Sequence, residues 1–427
     1  MIYLCLAHMS EDGMEQKYVK EAFDTNWVVP MGPNVNAFED DLEGFVNELE
    51  TLPSQESKER LDREVVCLAS GTSAVHLALI ACGVKAGDEV LVQSFTFCAS
   101  SHPITYLGAK PVFVGSEAET WNMDPELLEA AVIDRKTKTG RYPKAIIPVA
   151  LYGMPYRIDR IMAIADKYGI AVIEDAAEGM GSRFDGQVLG TFGKYGVLSF
   201  NGNKMITTSG GGALICRNKE EANEIMWYAT QARDAYPYYQ HSAIGFNYRM
   251  SNVCAGIGRG QMTVIDAHIA HHRHVQALYE DLLKDVKGIH LHKQPAAPRF
   301  DSNFWLCAAT IDPEVKVKGQ EKAYGEVIKT AVGGAAGVIH AVDSATTDCQ
   351  PNDNVEALRV YMLDRKVECR PLWKPMHKQP VYADAVAYTN GIEEELFKVG
   401  FCLPAGPYVT DEDVQYIVQC IKDAVIQ

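Results

Sequence analysis

The sequence predicts an α/β fold: a large, mostly parallel sheet domain with helices on both faces, followed by a smaller C-terminal α+β domain. Three observations carry this. Short apolar runs rich in β-branched residues alternate with helical stretches from about Glu64 to Glu174. The alternation then gives way to two strands, Gly196–Phe200 and Ala213–Cys216, flanking a glycine-rich bend without room for a helix. And 427 residues, 47% of them hydrophobic, supply core enough for two domains.

Taken in order, the predicted strands are Glu64–Leu68, Glu89–Gln93, Pro111–Val114, Ala145–Val149 and Ala171–Glu174. Between the last two, Ile158, Ile161, Met162 and Ala165 recur at helical spacing up to Gly169, which marks an amphipathic helix. Strands separated by helices join in parallel β-α-β units. After Thr263 the chain turns helical, and Phe304–Ile311 and Val367–Pro371 read as strands of the smaller domain. The large domain, with an N-terminal arm, is therefore placed at residues 1–262 and the smaller one at 263–427. Leu49–Arg63, Asp134–Tyr142 and Pro313–Asn354 are polar and read as loops. The last is unusually long and contains Gly333-Gly334-Ala335-Ala336-Gly337.

Composition excludes several classes. A net charge of −16 repels a phosphate backbone, so no nucleic-acid partner is expected. No apolar run approaches the ~18 residues needed to span a bilayer, so no membrane insertion is expected. Met1 to Ser10 lack a basic region followed by an apolar stretch, so no secretory leader is expected either. The eleven cysteines are scattered, Cys67, Cys98, Cys216 and Cys369 among them, with no Cys-x-x-Cys pair. That usage predicts reduced thiols and a cytoplasmic location. His268, His271, His272 and His274 share one helix, but no carboxylate or cysteine completes a metal site. They are expected to form a solvated face, and no metal is expected.

Four clusters carry chemistry. Ala69-Ser70-Gly71-Thr72-Ser73-Ala74 follows a strand and opens a helix. Gly71 permits the tight turn, and amides at a helix N-terminus suit a phosphate, although a plain helix cap would look the same. Val172-Ile173-Glu174-Asp175-Ala176-Ala177-Glu178 puts carboxylates at the carboxyl end of a strand, where ligands of open α/β sheets bind. Ser199-Phe200-Asn201-Gly202-Asn203-Lys204 runs into Thr207-Thr208-Ser209-Gly210-Gly211-Gly212 and offers a lysine on a tight turn at the same edge, able to form a Schiff base. Gly190-Thr191-Phe192-Gly193-Lys194 lacks the spacing of a Walker loop. Gly245-Phe246-Asn247-Tyr248-Arg249-Met250 is a polar and aromatic stretch before a helix.

In this order and spacing the four clusters resemble the DegT/DnrJ/StrS-type nucleotide-sugar aminotransferases, fold-type I pyridoxal-phosphate enzymes. The resemblance runs from about Asn26 to the C-terminus and includes Asn26-Trp27 through Gly32-Pro33, Gly83 to Asp88, Thr96-Phe97, and Arg370-Pro371-Leu372-Trp373-Lys374-Pro375-Met376-His377. The Trp27 region and the Arg370–His377 run are most similar to enzymes that aminate C4 of UDP-linked 4-keto-6-deoxy-N-acetylhexosamines for glycan biosynthesis.

The resemblance implies pyridoxal 5′-phosphate as cofactor, cycling through pyridoxamine phosphate, with glutamate as amino donor. It implies Lys204 as the covalent anchor and proton carrier, Asp175 on the ring nitrogen, Glu178 near the ring hydroxyl and Phe97 stacked on the ring. It places Thr72, Ser73 and Ser199 on the phosphate, with Asn247 reaching it from the other subunit of a homodimer. Arg249 and His377 are the candidate contacts to sugar nucleotide or donor. Glu178 departs from the Gln or His of many relatives. A C3 aminotransferase for dTDP-linked 3-keto-6-deoxy sugars would share the cofactor residues. A sugar 3-dehydratase would carry histidine at position 204, and a non-catalytic regulator would not need Lys204, Asp175 and Ser199 together.

Overall fold

A computed structural model describes residues 1–50, 60–295, 299–322 and 349–426. Helices α1 (Met14–Asp24) and α2 (Pro33–Val46) come first, α2 opened by Pro33, whose fixed φ suits a first helical position. Strand β1 (Glu64–Leu68) runs into α3 (Gly71–Ala81). Then follow β2 (Glu89–Gln93), β3 (Lys110–Val114), α4 (Pro125–Thr139), β4 (Ala145–Ile147), α5 (Ile158–Tyr168) and β5 (Ala171–Asp175). Strands β6 (Tyr195–Ser199) and β7 (Gly212–Cys216), then helices α6 (Lys219–Ala229) and α7 (Asn252–Met262), complete this part.

Beyond it lie α8 (Ile265–Leu283), β8 (Ile289–Leu291), β9 (Cys307–Ile311), α9 (Asp353–Asp364), β10 (Arg370–Pro371), β11 (Val386–Tyr388), α10 (Ile392–Val399), β12 (Gly400–Leu403) and α11 (Asp411–Ala424). The large sheet has the order β1-β7-β6-β5-β4-β2-β3-β11, and β8-β9-β12-β10 form a four-stranded antiparallel sheet. In the large sheet only β7 runs against its neighbours. Strand β11 pairs in parallel with β3, so the C-terminal part of the chain lends a strand to the large sheet.

Both faces of the large sheet are covered, which explains its unbroken apolar runs. Val65, Cys67 and Val172 enter one core cluster, whereas Val66, Leu68 and Ile173 enter another. This is the two-residue alternation of a strand with burial on both sides. A third cluster, including Tyr279, Phe401 and Ile417, packs the four-stranded sheet against α8 and α11.

Four expectations are corrected. The loop predicted from Asp134 is helical to Thr139: Lys138 pairs with Asp134 at 2.9 Å, and Gly140, at φ 73°, ends the helix. The apolar stripe of this helix, Leu128, Ala131 and Val132, stops before Asp134, so its polar last turns carry no apolar periodicity to betray them. Strand β9 begins only at Cys307, because Phe304 has φ 47° and turns the chain before it. Of Val367–Pro371 only Arg370–Pro371 joins the sheet, while Val367 bridges to Ile2. His268 and His272 are buried, their Nδ1 atoms 3.3 Å and 3.2 Å from the carbonyls of Met205 and Phe304. Backbone acceptors take the place of water there, and burial pushes His272 down to about 3. The Gly333–Gly337 run and residues 51–59 of the predicted first loop lie outside the described residues. Among the described residues no helix is long and apolar enough to cross a membrane, and no His, Cys, Asp and Glu group could hold a metal.

Candidate active site

A cavity of about 280 Å³ opens at the carboxyl ends of the central strands. It is lined by Ala69–Thr72 after β1, by Val149 after β4, by Asp175 and Glu178 at the end of β5, and by Ser199, Asn201, Asn203 and Lys204 after β6. Parallel strands leave their following loops at this edge, so residues distant in sequence converge there.

One end of the cavity is the first turn of α3. Ser70 caps the helix by accepting the Ser73 amide at 3.0 Å, and the two hydroxyls lie 2.8 Å apart. The amides of Gly71 and Thr72 belong to the first turn, where no intrahelical acceptor exists, and they carry the positive end of the helix dipole. Close packing brings this turn onto β6 and β7. A Cβ on Gly71 would meet that of Ser199 at 3.2 Å, and one on Gly212 would lie 2.3 Å from the Gly71 nitrogen.

The floor is acidic and buried. Asp175 accepts the Ser100 hydroxyl at 2.6 Å and the Ala177 amide at 3.2 Å. Burial pushes its carboxyl above the usual carboxylate range, against the pull of those two donors and of Lys204. Glu178 accepts the Tyr152 amide at 2.8 Å on one oxygen and faces the Lys204 ammonium at 3.3 Å on the other. Its carboxyl is raised by burial too, with Lys204 the leading opposing influence. The Lys204 amine also sits 4.0 Å from the centre of the Trp305 ring. At the mouth Phe97 is 50% exposed, its ring 5.4 Å from that of Trp373.

The sequence matches the DegT/DnrJ/EryC1/StrS aminotransferase family over residues 9–334 and 328–422. The chain belongs to this family. It is 38% identical over 424 residues to a putative pyridoxal phosphate-dependent aminotransferase, EpsN, of Bacillus subtilis (strain 168), covering 98% of this chain and 95% of that protein. It is 30% identical to the GDP-perosamine synthase of Escherichia coli O157:H7, covering 99% of each. The fold is also that of a DegT DnrJ EryC1 StrS aminotransferase crystal structure from Brucella abortus, with a TM-score of 0.78 at 24% identity over 96% of this chain and 95% of that one.

As a family aminotransferase the protein uses pyridoxal phosphate, and the cavity fits it. The cavity ends on the first turn of α3, whose amides at Gly71 and Thr72 have no intrahelical acceptor and lie beside Ser199, an arrangement that suits a phosphate. The Lys204 amine and the buried carboxylates of Asp175 and Glu178 face the rest of the space.

Six of the predicted residues, Thr72, Phe97, Asp175, Glu178, Ser199 and Lys204, line this one cavity. Four do not. Ser73 is turned toward Ser70 as part of the cap. Asn247 is exposed, bridged to Thr230. Arg249 is buried against Glu39 at 2.5 Å and also donates to the Cys67 carbonyl. His377 lies between Ser94 Oγ at 2.6 Å and Glu394 at 3.0 Å. Ser94, His377 and Glu394 are linked in series, but Ser94 meets Nδ1 and Glu394 meets Nε2, the reverse of a hydrolase triad, and Ser94 is fully buried.

Sequence reasoning missed Ser100, Tyr152 and Trp305. Ser100 lies four residues after Thr96, whose hydroxyl it meets at 2.8 Å, and Tyr152 follows β4 at the ligand-binding edge, so position alone could have raised both. Trp305 arrives through the Phe304 turn, and nothing local in the sequence announces it.

Proposed function

We propose that this family aminotransferase moves the amino group of glutamate to C4 of a UDP-linked 4-keto-6-deoxy-N-acetylhexosamine, giving a UDP-4-amino-4,6-dideoxy sugar and 2-oxoglutarate. The observation that carries the chemistry is the amine of Lys204 and the carboxylate of Asp175 facing one cavity that ends on a helix N-terminus. The sugar assignment rests on the Asn26–Pro33 and Arg370–His377 resemblance and on Trp373, whose indole offers a flat face at the mouth. That the substrate is a nucleotide-linked sugar is supported by the likeness to a GDP-perosamine synthase.

Bound here, pyridoxal phosphate supplies an electron sink for the carbon that loses its proton. The chain's own groups do the rest. Thr72, Ser199 and the first-turn amides of α3 would hold the phosphate, with Ser73 acting through the Ser70 cap. Asp175 would keep a proton on the ring nitrogen, Glu178 would meet the ring hydroxyl, and Phe97 would cover a ring face. Lys204 would hold the cofactor covalently and, once released, take and return the proton. Asn247 would complete the phosphate site of the other subunit in a homodimer.

Purified protein given glutamate and a panel of nucleotide-linked keto sugars tests the substrate. The UDP-linked 4-keto sugar should give the highest kcat/KM, and preference for a dTDP-linked 3-keto sugar would overturn that assignment while leaving transamination in place. Hybrids of Lys204→Ala and Asn247→Ala subunits should recover activity that neither parent shows. A fully active monomer would refute the shared site.

A further inference from the structure

Lys204 has two tasks, to bond to the cofactor and to carry a proton as a free amine. A lysine side chain is flexible, so the free amine needs a defined place to rest between them. The structure offers one, made by the turn Asn303-Phe304-Trp305 ahead of β9.

Trp305 is 1% exposed and presents its ring face to the Lys204 amine at 4.0 Å. Its indole N–H donates to the Asn203 carbonyl at 2.7 Å, which ties down the turn that carries Lys204. Two residues earlier, the Asn303 amide donates to the carbonyls of Glu178 and Met180, each at 2.9 Å, and so holds the loop that carries Glu178. The same Asn303 accepts the Trp305 amide at 2.9 Å. One short turn thus grips both loops whose side chains form the Lys204–Glu178 pair. The turn is itself fixed from behind: His272 meets the Phe304 carbonyl at 3.2 Å, and Arg273 donates to the Ser302 carbonyl at 3.0 Å. Phe304 has φ 47°, a conformation that persists in a non-glycine residue only where surroundings enforce it.

We propose that Trp305 is the positioning residue of Lys204: its ring face docks the free ammonium beside Glu178, and its N–H holds the lysine turn in register with the cofactor site. An ammonium over a desolvated indole is held electrostatically without being neutralised, so the amine stays in place and remains able to exchange its proton with the substrate. Asn303 sets the spacing between the two loops. The inference rests on the reading of Lys204 as the cofactor-bearing lysine.

The test replaces Trp305 alone with mono-, di- and trifluorinated tryptophan, which keep the N–H and nearly the volume while weakening the ring face. In full-length protein freed of cofactor, the rate at which an amine-reactive reagent labels Lys204, read by peptide mass, should rise with each fluorine, to about tenfold. In the holoenzyme kcat should fall in the same order, with KM for glutamate unchanged within about twofold. Trp305→Phe, which keeps a face and loses the N–H, should lie between wild type and Trp305→Leu. Labelling and kcat that ignore fluorination would overturn the docking role, as would a loss confined to KM. Borohydride reduction of the same holoenzyme separates the two claims. Cofactor fixed elsewhere than Lys204 removes the basis, whereas cofactor fixed at Lys204 with no fluorine dependence removes Trp305 alone.

Discussion

The floor of the cavity and the Arg370–His377 segment hold the same kinds of side chain and use them in opposite ways. At the floor, Asp175, Glu178 and Lys204 face open space and are only partly compensated by neighbours. In the Arg370–His377 segment the polar groups have partners of their own: His377 joins Ser94 to Glu394 in the interior, and Arg370 pairs with Glu368 at 2.5 Å on the surface. Only Trp373 of that run lines the cavity. A cluster of cations and imidazoles is therefore not a site until its groups lack partners of their own. Arg249 makes the same point, since its guanidinium is consumed by Glu39 and the Cys67 carbonyl.

Substitutions should divide along this line. Arg249→Ala leaves the half-buried Glu39 without its cation, and should cost stability by about 1–3 kcal/mol in chemical denaturation. A stable variant with a raised KM for the sugar nucleotide would instead return Arg249 to the substrate. Asp175→Asn should lower kcat about 10²–10³-fold, the effect of removing one preorganised charge. Its stability should move the other way. Because burial raises the folded-state pKa of Asp175, the stability it contributes is present at low pH and is lost as pH rises through that value. Cofactor-free Asp175→Asn should thus melt higher than wild type at neutral pH, and an equal or lower melting temperature would count against this electrostatic account.

His377→Ala removes a buried link and should cost about 1–3 kcal/mol, slowing both half-reactions only as far as the fold loosens. A selective loss with the sugar nucleotide, measured in single turnovers, would place His377 in its binding site. The smallest effect is a slope. His272 is depressed to about 3 from an ordinary value of 6.5, so its contribution is intact above 6.5 and is lost as pH falls through that window. His272→Gln should flatten the acid side of the stability profile between about pH 6.5 and 3; an unchanged slope would assign the effect to other groups.

Much of this was legible in the sequence, for identifiable reasons. Strands buried on both faces write themselves as apolar runs, and chain order assigned β1 to β7 to nearly their observed limits. The cavity residues were legible because each follows a strand at the edge where parallel strands release their loops. What stayed hidden depends on distant packing. His268 and His272 look like a solvated pair until the carbonyls of Met205 and Phe304 take their place beside them. Trp305 becomes part of the site through a backbone conformation at Phe304 that sequence pattern does not encode. The cap role of Ser73 is local, yet cap and phosphate ligand share one signature.

The central claim is that Lys204 is the covalent anchor of the cofactor in this cavity. Borohydride reduction of the purified holoenzyme followed by peptide mapping tests it directly. One reduced adduct of pyridoxal phosphate is expected, on the peptide containing Lys204, and it should be absent from Lys204→Ala. An adduct that survives in Lys204→Ala on another lysine, with transamination intact, would contradict it.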